Sequence, residues 1–241
     1  MLNLFYLINM SINRYDKLDL DNIVLDKIKV SDDKKIINVK YKTKNEGKTV
    51  KEHLFFSTST SSLTLVSELK NNLLRGYYLE VLINDTKFYE FILDLEETIK
   101  HLILKKSDKI LPDLDKEINY NLIDEYHKTN IKFSKTYNNP IIKLNFIKNT
   151  KNNNTLIYNS SQKQISEDLL EENKDIRLII RLDKIVLTNY SYELDLVVEQ
   201  IKVLSKSSIE PERMIHDYRF EASDEDNYEN ENNDEKINNE N

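Results

Sequence analysis

Two glycines in 241 residues, Gly47 and Gly76, constrain this chain more than any other feature. Phosphate-cradling loops need several glycines in one place, because only glycine lets the backbone close on an anion. Walker-type and Rossmann-type nucleotide sites are therefore excluded by counting, and so is a G-x-S-x-G nucleophile elbow. The chain has no cysteine, which removes disulfides, thiol catalysis and thiolate-held zinc. His53, His101, His127 and His216 have no i,i+4 partner, so there is no helical metal motif, and neither a metal nor another cofactor is expected. Acidic pairs such as Asp19/Asp21 and Asp113/Asp115 are what chance supplies among 42 acids. With no catalytic cluster to nominate, the chain reads as a binding protein, not an enzyme.

The formal net charge of −7 is unevenly placed. Residues 221–241 hold nine acids and one base, while the rest of the chain holds 34 bases against 33 acids. That end is rich in Asn and cannot bury enough apolar surface to offset its ordering entropy. Residues 207–241 are accordingly read as a disordered acidic tail. Such a tail competes with nucleic acid for a basic surface, recruits replication proteins, or only keeps the chain soluble. The opening MLNLFYLINM has no basic residue before its short apolar stretch, so no secretory signal is expected. Nothing approaches the ~18 apolar residues of a membrane span. An intracellular protein without a membrane partner is the expectation.

Residues 36–44 and 48–58 are β-type runs around Asn45-Glu46-Gly47, which predicts a hairpin. Within the first run Ile37, Val39, Tyr41 and Thr43 alternate with Lys40, Lys42 and Lys44. A short helix is predicted over 62–75, closed by Gly76, and a strand over 77–83. Phe88, Phe91, Ile92, Leu95, Ile99, Leu102 and Ile103 give the clearest helical spacing in the chain, over 86–106. Glu96 and Glu97 read as its solvated side. Further strands are predicted at 140–148 and 155–158, and a helical turn or two at 166–173. The strongest strand pair is 176–187 with 192–204. The sum is an α+β fold, antiparallel and β-rich, with one long helix. Its domains are an extension at 1–25, a binding domain at 26–206 and the tail.

The informative stretch is 126–151. It carries Lys128, Lys132, Lys135, Lys143, Lys148 and Lys151 with no acid, interleaved with Tyr126, Phe133, Tyr137 and Phe146. Ammonium groups for phosphates and aromatic faces for unpaired bases are what a single-strand-binding surface needs. The competing reading places Phe133 and Phe146 in the core and leaves the lysines as ordinary surface. Residues 26–51 add nine lysines against four acids, including Lys40 and Lys42, with Tyr41 between them. Arg177 and Arg181 project from one face of their strand, toward phosphates or toward a cross-strand acid such as Glu193, Asp195 or Glu199.

Asn139-Pro140-Ile141-Ile142-Lys143-Leu144, a polar loop, the run from Ile176 to Val203 and an acidic end together resemble the C-terminal half of the single-stranded-DNA-binding proteins of large nucleocytoplasmic DNA viruses, of the African swine fever virus and poxvirus type. The resemblance implies an OB-like barrel extended by helices, single-stranded DNA as partner (RNA stays open), a role in viral DNA replication, and a place in the host cytoplasm or the virion. It departs from the family in having so few glycines. A homo-oligomer is left open. The second reading is a scaffolding protein of a virion or replication complex that works through protein contacts.

Overall fold

The computed structural model describes residues 12–204 except 32–33, 46, 72–73, 112–116, 134–138, 148–154, 172–173 and 189. The acidic tail expected at 207–241 lies outside the described residues. Thirteen strands are described: β1 (Asn13–Arg14), β2 (Ile23–Ser31), β3 (Lys34–Asn45), β4 (Lys48–Glu52), β5 (Leu54–Ser57), β6 (Ser61–Asn71), β7 (Leu74–Leu82), β8 (His127–Lys128), β9 (Ile131–Phe133), β10 (Pro140–Phe146), β11 (Leu156–Tyr158), β12 (Asp175–Thr188) and β13 (Tyr192–Val203).

The sequence of β12 shows how these strands arise. Ile176, Leu178, Ile180 and Leu182 are buried, and beyond Asp183 the even-numbered set gives way to Ile185 and Leu187. The change marks a bulge: Leu182 pairs with Leu196 of β13, and Lys184, not Asp183, pairs with Asp195. One extra residue keeps the apolar side inward where strict alternation would have turned it out.

Five strands close a ring. β6 pairs with β7, β7 with β10, β10 with β13 and β13 with β12; Asp175–Ile176 of β12 then return to Ser61–Ser62 of β6. Only the β10–β13 contact is parallel. Taken in chain order, the ring runs first, second, third, fifth, fourth, the circuit of an OB-type barrel. The expected α+β fold with an OB-like core is what the chain forms. Barrel strands must coil, and glycine is the usual aid. This chain bends instead through register shifts at Leu63/Leu65, Ile179/Ile180 and Leu182/Lys184.

A second sheet hangs on β12. The edge that β13 leaves free bonds β6, then β5, then β3 in succession. β3 in turn pairs with β2 and β4. Ile23, Leu25, Ile37, Val39 and Tyr41 bury one side of this accessory sheet in the same core as the helix α1 (Thr86–Lys105). Helix α1 is capped by Asp85, whose carboxylate accepts from the Lys87 backbone N–H, and it buries Phe88, Phe91, Ile92, Leu95, Ile99 and Ile103 in one stripe. The Lys106 ammonium donates to the Leu25 carbonyl, and Lys35 Nζ donates to the Ile110 carbonyl at 3.1 Å, tying the helix end to β2 and β3.

Three expectations need correction. Residues 62–75 are not a helix: Ser62 to Asn71 pair antiparallel with Leu74 to Leu82, and Gly76 sits opposite Leu69 within the ladder. Ring closure overrides the helix propensity of the Leu, Lys and Glu residues there. Residues 13–25 are not merely an extension, since β1 pairs with β5 and Tyr15, Ile23 and Leu25 are core. Tyr15 donates to Asp85 Oδ2 at 2.5 Å, and burial beside that carboxylate pushes its phenol up to about 12. Glu96 is not solvated: it is buried, and it accepts from the Asn130 backbone N–H at 2.9 Å and from Thr129 Oγ1 at 2.8 Å.

The predicted hairpin at Gly47 is present as β3–β4, and Gly47 has φ +77° with no atom near a would-be Cβ. Only backbone strain opposes a side chain there. Gly47→Ala should therefore cost about 1 kcal/mol in a urea melt. An unchanged midpoint would show that the turn can relax.

Candidate nucleic-acid interface

The outer side of the barrel at β7 and β10 is built by simple alternation. On β7, Leu79 and Val81 are buried while Tyr78 and Glu80 turn outward. On β10, Ile142, Leu144 and Phe146 fill the core while Lys143 and Asn145 turn outward. The register sets Lys143 opposite Glu80 and Asn145 opposite Tyr78. Reaching diagonally, Lys143 places Nζ 4.6 Å from the Tyr78 ring centroid. Lys132 on β9 lies on the same side, 3.3 Å from Glu80 Oε1.

The face continues across β13 and β12 as a row of paired charges. Asn145 Nδ2 donates to Asp195 Oδ1 at 2.5 Å. Lys184 Nζ bridges Asp195 at 3.0 Å and Asp183 at 3.2 Å. Arg181 pairs with Asp183 and, at 2.6 Å, with Glu199. Beyond β12, Lys40 of β3 donates to His53 Nε2 at 3.0 Å. Burial, and then the cations Lys40 and Arg181, hold the His53 pKa below its ordinary 6.5, so the ring is neutral at pH 7.

The structure sorts the residues nominated from sequence. Lys132 and Lys143 lie on this outer side, whereas Lys40 and Lys42 lie on the outward side of β3 in the accessory sheet. Tyr41 leaves the candidate set: it points into the core, 9% exposed, and its hydroxyl accepts from the Asp19 backbone N–H. Arg177 leaves it too, buried at 7% exposure with Nε 3.5 Å from Thr60 Oγ1. Arg181 takes the cross-strand alternative, bonding Glu199. Lys128 is exposed beside Glu193 at the start of β13. Phe133 is 72% exposed and faces Tyr89 of α1 at 6.4 Å, so it is neither core nor part of the Tyr78 face. Phe146 is core. Lys135, Tyr137 and Lys148 lie outside the described residues. Sequence reasoning missed Tyr78, although the alternation of Tyr78, Glu80 and Leu82 against Leu79, Val81 and Ile83 carried the signal. Among the described residues no group of His, Asp and Glu could hold a metal ion, and no helix is long and apolar enough to cross a membrane.

No family model matches the chain, and no curated protein does. Solved structures with a similar course are single-stranded-DNA-binding proteins of bacteriophages. That of bacteriophage T7 is 11% identical with a TM-score of 0.44, covering 71% of this chain and 100% of its own. That of bacteriophage Enc34, in complex with single-stranded DNA, is 10% identical with a TM-score of 0.41, covering 79% of this chain and 98% of its own. Likenesses this distant leave the function to be argued from the face itself.

Proposed function

We propose that this protein binds single-stranded DNA without reading its sequence, on the outer side of β7 and β10. The observation that carries the reading is the Tyr78–Lys143 pair: a π-face and a cation side by side on the barrel face that OB-type folds use for oligonucleotides. A base stacks on Tyr78 while Lys143 trades the ring for a phosphate. Releasing a cation–π contact costs only about 0.5–1 kcal/mol at an exposed site, and the phosphate contact replaces it. Neither contact distinguishes one base from another. Support of viral DNA replication is the setting that the resemblance over residues 139–204 suggests, and the reading needs no catalytic step.

The test is fluorescence anisotropy with a labelled single-stranded 30-mer, titrated at several salt concentrations with duplex as competitor. Affinity should fall by tenfold or more between ~50 and ~200 mM salt, as counterion release requires for a few phosphate contacts. Affinity should vary little with base composition, and duplex should compete poorly. A flat salt response, or no binding together with a defined oligomer, would favour the scaffolding reading instead.

A further inference from the structure

We propose that the accessory sheet is a second phosphate-binding surface, which takes the backbone of a single strand after it leaves the barrel face. This rests on the single-strand-binding reading above and extends its footprint. The buried side of β3 packs into the core with α1, so the lysine side looks outward. On that side Lys40, Lys42 and Lys44 stand at alternate positions, and Lys51 of β4 lies directly opposite Lys42. Lys42, Lys44 and Lys51 are exposed.

Folding alone does not explain this arrangement. Like charges directly opposite on paired strands destabilise a sheet. Here Lys42 faces Lys51, and among the described residues the acid beside this pair is Asp26, 3.3 Å from Lys51 Nζ. Alternate residues of a strand are about 6.8 Å apart. A stretched single strand spaces its phosphates by roughly twice the ~3.4 Å axial rise of one duplex strand. A straight ladder of ammonium groups therefore matches an extended strand, whereas a duplex strand winds away from it. The ladder is also continuous with the barrel face. Lys184 pairs in register with Asn38 of β3, and the Lys40–His53 pair adjoins Arg181. From β7 through β10, β13 and β12 to β3 there are four interstrand steps of ~4.8 Å, roughly 19 Å of path across the sheet.

The triple variant Lys42→Gln, Lys44→Gln, Lys51→Gln in the full chain tests this with two oligonucleotides. An oligothymidylate of ~8 nucleotides fits an OB-type barrel alone, and one of ~24 exceeds it. The triple variant should bind the short oligonucleotide like the parent and the long one tenfold or more weaker. Its log–log salt slope on the long oligonucleotide should be shallower by about 2–3, one for each lost phosphate contact. Its melting temperature should stay close to the parent's, because the like-charge repulsion removed offsets the exposed Lys51–Asp26 pair that is lost. Equal affinity of parent and variant for the long oligonucleotide would overturn the proposal. So would loss of both affinities together with a lowered melting temperature, since that is a structural role. If the parent binds neither oligonucleotide, the single-strand reading itself fails, a result separate from either of these.

Discussion

Replacing Tyr78 by Ala and Lys143 by Gln together should weaken binding to a single-stranded 30-mer by about a hundredfold, and binding to duplex by far less. Stacking of one base on an aromatic side chain is worth ~1–3 kcal/mol, and each lost phosphate contact adds a salt-dependent increment. At 1.4 kcal/mol per decade, a combined loss near 3 kcal/mol is two decades. Duplex offers no free base face, so it can lose only the Lys143 share. The fold should tolerate both changes, because Tyr78 and Lys143 turn away from the core formed by Leu79, Ile142 and Leu144. Lys143→Gln is chosen over Lys143→Glu because Lys143 lies opposite Glu80, where a second carboxylate would repel the first. Tyr78→Ala alone should cost single-strand affinity more than duplex affinity. Equal losses on the two substrates would remove the stacking role and leave a surface that reads charge only.

The sequence exposed the parts of this fold that depend on local alternation. The β12–β13 pair, the Gly47 hairpin and helix α1 are all visible as periodicities of two or of three and four, because each buries one face and solvates the other. The leucines of 62–75 fit a helix as well as a strand, and the ladder with β7 that decides between them is a matter of pairing and not of composition. Glycine scarcity looked like an obstacle to a coiled barrel. The structure removes the obstacle with bulges at Ile179/Ile180 and Leu182/Lys184, and bulges built without glycine, as these are, leave no residue-type signature.

The candidate face is legible in the sequence as a composition but not as a surface. Counting lysines and aromatics over 126–151 nominates Lys132 and Lys143, which share the candidate face, but groups them with Phe133, which faces α1, and with Phe146, which is core. Tyr78, the aromatic that meets Lys143, is 65 positions away in sequence and joins it only through the β7–β10 register. Arg181 could not be assigned by strand face alone, since its neighbour Glu199 comes from the other strand of the hairpin. Residues that pair across a barrel are invisible to any reading that runs along the chain.

Lowering the pH from 7 to 5 should destabilise the parent by about 2 kcal/mol more than a His127→Phe variant. His127 is buried with its side chain 5% exposed, its ring 5.1 Å from that of Tyr192 and its Nε2 3.9 Å from Glu96 Oε1, too far for a hydrogen bond. Among the described residues, neither His127 Nε2 nor the Tyr192 hydroxyl has a hydrogen-bond partner. Burial, reinforced by the Lys100 ammonium, pushes His127 down to about 4, while Asp124 and Glu97 pull weakly the other way. The unfolded chain takes up this proton near 6.5 and the folded chain only near 4, so the unfolded state holds more protons between those values. Stability is therefore full above about 7, falls as pH drops through 6.5, and levels off below about 4 with about 3 kcal/mol lost, at 1.36 kcal/mol per pKa unit. About two-thirds of that loss is complete by pH 5. Glu96 opposes it. Burial raises its pKa in the fold, so its neutral form stabilises the folded state as pH falls through that raised value. Glu96→Gln should then steepen the acid loss, because the amide keeps an oxygen to accept from Asn130 N–H but no longer titrates. Thermal melts at pH 7, 6 and 5 read the difference as about 4–8 °C at pH 5 for a body of this size. Parallel melting curves for the parent and His127→Phe across that range would mean that His127 is open to protonation in the folded protein.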